Sequence, residues 1–165
     1  MPLQRLTPAQ ALQKLKHYCA YQERSHSEVK EKAYGFGLHR QEVDEVISAL
    51  IQEDYLNEER FAIAFAGGKF RMKGWGRVKI KYELKQRKVS DYCIRKALQE
   101  IDDTVYQKTL EALAKKKWNS IRGAGTNGFV KMSKTRDYLI QRGFETDKIR
   151  EVLTKMGNKE QKNNE

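Results

Sequence analysis

Three apolar triplets with the same internal spacing recur along this chain of 165 residues: Leu38, Val43 and Ile47; Val89, Ile94 and Leu98; Phe144, Ile149 and Leu153. In each, the second residue follows five positions after the first, and the third follows four after that. The blocks are offset by 51 residues (89 − 38) and 55 residues (144 − 89), with Ala33, Leu84 and Leu139 in register ahead of them. A spacing of this kind predicts one helical unit written three times, each burying its apolar face against its neighbours. A curved helical array built that way is a scaffold for a long partner and not a pocket for small-molecule chemistry.

Helix-start signals support the repeat. Thr7, Pro8 and Gln10 supply an N-cap, a first-turn proline and a reciprocal capping partner, and Leu12, Leu15 and Cys19 follow at helical spacing. Ser25 and Glu28 form a second capping box, with Val29 and Ala33 inward and Gly35 and Gly37 ending that helix. A third helix is expected from Arg40, carrying Val43, Val46, Ile47 and Leu50. Asn57 then caps a helix whose Glu58 and Glu59 suit its positive end, with Phe61, Ala62, Phe65 and Phe70 as the buried stripe. After the break at Gly74-Trp75-Gly76 come a helix with Ile80 and Leu84, and another opened by Ser90 and Asp91. Asp102 or Asp103 starts the next, with Tyr106, Leu110 and Leu113 inward. Helices around Lys131–Arg142 and Thr146–Lys155 follow the glycine-rich break at Gly123–Gly128. The polar stretch after Gly157 is expected to fray. No segment alternates long enough to predict a strand.

Hydrophobic residues make up 39% of the chain and charged residues 33%, a composition that suits slender helical layers with much surface. Lys+Arg 33 against Asp+Glu 22 gives +11, which points to a polyanionic partner or an acidic protein surface. The charge is uneven. Arg40 to Arg60 balances at −5, Lys69 to Lys96 at +9 and Lys115 to Arg150 at +7. Cys19 and Cys93 lack metal or redox spacing and read as reduced, buried thiols, which predicts a cytoplasmic protein. No apolar run approaches the roughly 20 residues needed to span a bilayer, and no signal-peptide core is present.

The helix after Trp75 carries the sharpest candidate site. At about 100° per residue, Arg77, Lys81, Lys85 and Lys88 share an arc of roughly 80°. Trp75 and Tyr82 lie at its edges, and Val78 and Tyr82 on the side opposite Ile80 and Leu84. This predicts a cationic ridge for phosphates or acidic side chains. The alternative is a solvated face whose lysines lie over apolar neighbours. Gly123-Ala124-Gly125-Thr126-Asn127-Gly128 matches G-x-G-x-x-G, but a helix precedes it where the dinucleotide fingerprint needs a strand, so it reads as an interhelical loop. His17, His26 and His39 have no ligand mate at metal spacing. Ser25, Ser27 and Ser90 read as helix caps, and Asp54, Glu58 and Glu59 as a helix start. No catalytic residue, metal or cofactor is expected.

The strings YLNEERFA (Tyr55–Ala62), KGWGRVKIKYEL (Lys73–Leu84) and KQRKVSDYCIRKAL (Lys85–Leu98) resemble the central signature of the RecX family, bacterial regulators of the RecA recombinase. The similarity runs over roughly residues 9–156 and is densest from Gly35 to Leu98. It implies an all-α, elongated, curved array of three tandem three-helix repeats, here 1–54, 55–101 and 102–156, with 157–165 as a disordered polar tail. It also implies a monomeric, non-enzymatic protein that docks in the groove of the RecA–DNA filament, contacts DNA phosphates there, and restrains ATPase, strand-exchange and co-protease activities. No membrane is implied. Carried onto this chain, the implied contacts are Lys69, Arg71, Lys73, Arg77, Lys81 and Lys85. One departure is Gly67-Gly68, where family members carry polar or basic residues in a continuous helix; adjacent glycines predict a kink or an early end. The rival reading is a DNA-binding module that acts without a recombinase, and a more distant one is an accessory subunit of an enzyme.

Overall fold

The computed structural model describes residues 4–165. Among these there are nine α-helices and no strand: α1 (Pro8–Tyr21), α2 (His26–Gly35), α3 (Arg40–Gln52), α4 (Glu58–Lys73), α5 (Arg77–Gln86), α6 (Asp91–Gln99), α7 (Asp103–Ser120), α8 (Gly128–Gln141) and α9 (Thr146–Asn163). The caps explain where they start. Thr7 Oγ1 accepts from Gln10 N at 3.2 Å while Gln10 Oε1 accepts from Thr7 N at 3.0 Å. Ser25 and Glu28 make the same reciprocal pair at 3.1 Å each way. Asn57, Asp102 and Asn127 each accept from the amide three residues on, at 2.9 Å. Such a cap satisfies one of the four amides a helix start leaves without an internal partner.

The repeated triplets have a conformational cause. Helices α2, α5 and α8 all end in the same motif, a residue in the left-handed region followed by the first triplet residue. Gly37, Lys88 and Gly143 hold φ of 86°, 59° and 89°. The amides of Leu38, Val89 and Phe144 donate back to Ala33, Leu84 and Leu139 O at 3.4, 3.1 and 3.2 Å. Those of Gly37, Lys88 and Gly143 donate to Tyr34, Lys85 and Ile140 O at 2.9 Å. This is the Schellman closure, in which six-to-one and five-to-two bonds satisfy the last helical carbonyls and an apolar contact bridges the turn. Ala33, Leu84 and Leu139 therefore fall in register because each is one side of that contact. All the triplet residues are buried except Leu98, which is half-buried.

The middle copy places a lysine where the others have glycine. A side chain in the left-handed region crowds its own carbonyl, at roughly 1–2 kcal/mol. Lys88→Gly should accordingly raise stability by about 0.5–1 kcal/mol. The check is a higher urea midpoint at unchanged m-value.

Contacts divide the chain into two compact units. One holds residues 4–65 with Glu83–Leu98; the other holds Ala66–Tyr82 with Gln99–Glu165. In the first, α1, α2 and α3 pack around Ala11, Leu15, Val29, Val43 and Leu50, all fully buried. In the second, α7, α8 and α9 pack around Leu110, Ala114, Leu139, Ile149 and Leu153.

Three expectations are corrected. Helix α4 does not end at Gly67-Gly68 but continues to Lys73. The Arg71 guanidinium folds back over Gly67, where a Cβ would come within 2.7 Å of its Nη1. Residues 157–163 are not a frayed tail but the last turns of α9. Gly157 lets Met132 of α8 approach, its Cε 3.3 Å from where a Cβ would stand, and Lys131 Nζ pairs with Glu160 at 3.5 Å. Helix α8 also starts earlier than expected, at Gly128, because Asn127 caps it.

Candidate functional site

Most of the YLNEERFA string is accounted for by folding. Leu56, Phe61 and Ala62 are buried. Asp54 is in the left-handed region at φ 64°. Arg60 reaches back to hold it, Nη2 donating to Asp54 O at 3.0 Å and Nη1 to Oδ1 at 3.1 Å, while Nε bonds Glu23 at 2.6 Å. Glu58 accepts from Ser90 N at 3.2 Å and stands 3.6 Å from Cys93 Sγ. Burial pushes both thiols, Cys19 and Cys93, above the usual cysteine range, so neither is poised as a thiolate nucleophile. Burial likewise lowers the His26 imidazole, whose Nε2 is enclosed without a hydrogen-bond partner. Among the described residues no grouping of His, Cys, Asp or Glu could hold a metal ion, and no helix is long and apolar enough to cross a membrane.

The KGWGRVK stretch is built differently. Helix α4 closes on Gly74, whose φ of 66° lets its amide donate to Phe70 O at 3.0 Å. Trp75 N donates to Lys69 O at 3.3 Å. The next three amides belong to the start of α5, and each finds a partner from α7 or from the turn after α8. Gly76 N donates to Arg142 O at 2.7 Å, Arg77 N to the Tyr106 hydroxyl at 3.0 Å and Val78 N to Gly143 O at 2.9 Å. The positive end of α5 thus meets the carbonyl end of α8, a favourable alignment of two helix dipoles. Gly76 has no room for a side chain, since a Cβ there would lie 2.5 Å from Phe144 N.

This junction presents Trp75, half-buried, between two lysines. Lys69 from the end of α4 and Lys79 from the first turn of α5 place their Nζ atoms 5.0 and 4.5 Å from the indole centroid. Both are within cation–π range. Arg142 donates to Lys73 O, and Arg71, Lys73 and Lys81 are exposed on the same unit. The arrangement is an indole framed by cations, suited to carboxylates or phosphates beside an apolar or aromatic contact.

The ridge read from the sequence is not a four-residue row. Arg77 turns inward: its Nη2 bonds Asp103 at 2.7 Å and Ile101 O at 3.0 Å, and its guanidinium lies 4.1 Å above the Tyr106 ring. Its side chain is only 18% exposed. Lys88 follows the end of α5 in the left-handed turn, so it is not on the helical arc. Lys81 and Lys85 remain exposed on α5, with Lys81 in the second unit and Lys85 and Lys88 in the first. Helical spacing does not single out Lys79, because its tie to Trp75 depends on the α4–α5 turn. Helical spacing places Tyr106 in the core and carries no sign of what its hydroxyl does.

Tyr106 is the hub of the junction. Its hydroxyl accepts from Arg77 N and donates to Glu145, and its ring packs 5.6 Å from Phe70 and 5.3 Å from Phe144. Burial, reinforced by the bond to Glu145, raises the phenol well above its ordinary value. Tyr106→Phe should cost about 2–3 kcal/mol, because it strands a helix-start amide and a carboxylate in a half-buried site. The raised phenol favours the folded state below pH ~10, and that contribution is lost as the pH climbs through the folded value. Urea titrations of both proteins at neutral and alkaline pH should show the difference shrinking as the pH rises.

A family model described as RecX, second three-helix domain, matches residues 57–98, the span of α4 to α6, and one described as RecX, third three-helix domain, matches residues 104–153. The regulatory protein RecX of Thermotoga maritima is 31% identical over 140 residues, covering 82% of this chain and 78% of that one. This chain belongs to the RecX family. The RecX of Prosthecochloris aestuarii is 29% identical over 146 residues, covering 88% of this chain and 93% of its own. That of Clostridium perfringens is 26% identical over 137 residues, covering 83% of this chain and 64% of the longer clostridial protein. The crystal structure of RecX from Lactobacillus salivarius matches with a TM-score of 0.80 at 23% identity, over 90% of this chain and 95% of that one, which establishes the shared all-helical RecX fold. Trp75 and its flanking lysines lie inside the second RecX domain.

Proposed function

We propose that this chain is a non-enzymatic regulator that binds the RecA–DNA filament and restrains its ATP turnover, strand exchange and co-protease function. Membership in a family whose named relatives are regulatory proteins supports this reading. The observation that carries it to residues is the cation-framed indole of the second domain, Lys69, Trp75 and Lys79, with Arg71, Lys73 and Lys81 exposed on the same unit. Lys85 and Lys88, exposed on the first unit, are proposed as contacts in their own right. Arg77 serves it indirectly by fixing the start of α5. In this reading the units 1–54, 55–101 and 102–156 are three repeats of a monomer working in the cytoplasm. DNA phosphates are contacted within the filament, and no cofactor takes part.

The test adds the protein to cognate RecA on DNA, up to stoichiometric amounts, and follows strand exchange and DNA-dependent ATP hydrolysis. Both should fall with added protein. Unchanged rates at stoichiometric amounts would sink the regulator reading. Binding to bare oligonucleotide as tight as to the filament, weakening linearly in log[salt], would favour a DNA module that acts alone.

A further inference from the structure

The third copy of the repeat carries more helix than its core requires. Helix α6 ends at Gln99, one residue past its triplet, and α3 at Gln52, five past its own. Helix α9 runs to Asn163, ten residues past Leu153 (163 − 153). The RecX third-domain match stops at residue 153, where this extension begins. Along the extension and the facing side of α7 lies a groove of about 850 Å³.

The two helices line it with regular stripes. From α7 come Lys108, Ala112 and Lys115, four and three residues apart; from α9 come Val152, Met156 and Lys159, with Lys155 beside Met156. The apolar lining is Ala112, Trp118, Val152 and Met156, and Lys108, Lys115, Lys155 and Lys159 along it are all exposed. Among the described residues none of these lysines has an ion-pair partner. Two carboxylates also line the groove, and both are engaged. Glu160 pairs with Lys131, and Glu111 accepts from Gln107 at 3.2 Å. Glu111 keeps its charge in that bond, so the five lysines that line the groove, Lys131 included, outnumber its two carboxylates by three (5 − 2) beside the apolar lining.

The geometry points to a docking groove for an amphipathic helix of a partner protein, its apolar stripe on the apolar lining and its acidic residues beside the lysines. The lining runs over residues 108–119 of α7 and 152–163 of α9, 12 residues each (119 − 108 + 1; 163 − 152 + 1), or about 18 Å, enough for about three turns of a partner helix. A helix laid in such a groove is read through anchors at i, i+4 and i+7, and its flanking carboxylates meet the lysines. A nucleic-acid backbone would use the lysines but would leave the apolar lining without a contact, so charge and apolar surface together favour the peptide.

The probe is a labelled synthetic helix of roughly 20 residues, with leucine at i, i+4, i+7 and i+11 and glutamate on both flanks. Fluorescence anisotropy follows its binding to the full chain. Saturable binding is expected. It should weaken at least about tenfold in the double variant Lys115→Glu/Lys159→Glu, and by a similar factor in Ala112→Gln, which fills the apolar lining without changing charge. Replacing the probe's leucines by serine should abolish binding, and circular dichroism should show both variants as helical as the parent. Three results would each overturn the proposal. These are no saturable binding, binding indifferent to both Ala112→Gln and the serine probe, or oligothymidylate weakened by Ala112→Gln as strongly as the peptide.

Discussion

Gly143→Ala is expected to destabilise the second unit by at least about 3 kcal/mol, the largest single-residue effect on folding here. Two separate costs coincide at this position. Its φ of 89° belongs to the left-handed closure of α8, where any side chain pays about 1–2 kcal/mol. Its α-carbon also faces the first turn of α5 so closely that a Cβ would fall on the Lys79 Cβ and within 2.6 Å of Lys79 N. Lys79 N and Cα are backbone and its Cβ is fixed to them, so none of these atoms can rotate away. Relief would require α5 to withdraw, which breaks the Val78 N to Gly143 O bond at 2.9 Å and disturbs Gly76 N on Arg142 O. Gly125→Ala isolates the first cost, since its φ is 77° and nothing lies within 4 Å of its Cβ position. It should cost only about 1 kcal/mol. Urea unfolding of the two variants side by side is the measurement, and equal losses would mean that the α5–α8 approach carries no weight. Because the same contact seats Lys79 beside Trp75, Gly143→Ala should also weaken regulation at temperatures where the variant is still folded.

The contrast between Gly143 and Arg77 shows what could be read from the chain alone. Helix starts depend on residues within one turn of each other, so Thr7, Ser25 and Asn57 are legible as caps, and Asp102 or Asp103 as a start. The triplet spacing is local too, spanning one Schellman closure and the helix after it, and it survives in all three copies even where Lys88 replaces glycine. Site geometry is not local. Helical spacing grouped Arg77 with Lys81 and Lys85 by azimuth, but could not register that Asp103, Ile101 O and the Tyr106 ring stand at the first turn of α5. A cation offered a carboxylate, a carbonyl and an aromatic face turns toward them. Lys79 is silent in the sequence for the converse reason, that its neighbour Trp75 lies across a turn whose path depends on Gly74 and Gly76. Composition does not disclose the end of α9, because a polar helix can persist when one face has α8 to pack on, as Gly157 and Glu160 do.

That division of labour leads to the largest expected functional effect. Reversing Arg77 together with its neighbours would confuse two roles, since a glutamate there would face Asp103 and strand the Ile101 carbonyl and the Tyr106 ring. Arg77→Gln alone should lower stability by about 1–3 kcal/mol through the lost charged bonds. It should leave regulation per folded molecule nearly unchanged. Lys73→Glu/Lys81→Glu acts on exposed side chains without ion-pair partners among the described residues, so its folding cost should stay within about 0.5 kcal/mol. At a surface facing carboxylates or phosphates, each reversal removes an attraction and adds a repulsion, together about 1 kcal/mol or more. The pair should therefore raise the concentration needed for half-maximal inhibition of strand exchange by about 10- to 100-fold. If DNA phosphates are the contacts, the slope of log affinity against log[salt] should also drop by about two, one for each lysine removed. An unchanged slope with the full loss of inhibition would assign the contacts to carboxylates of the filament protein. Inhibition as strong as that of the parent protein would move the footprint off the second domain altogether.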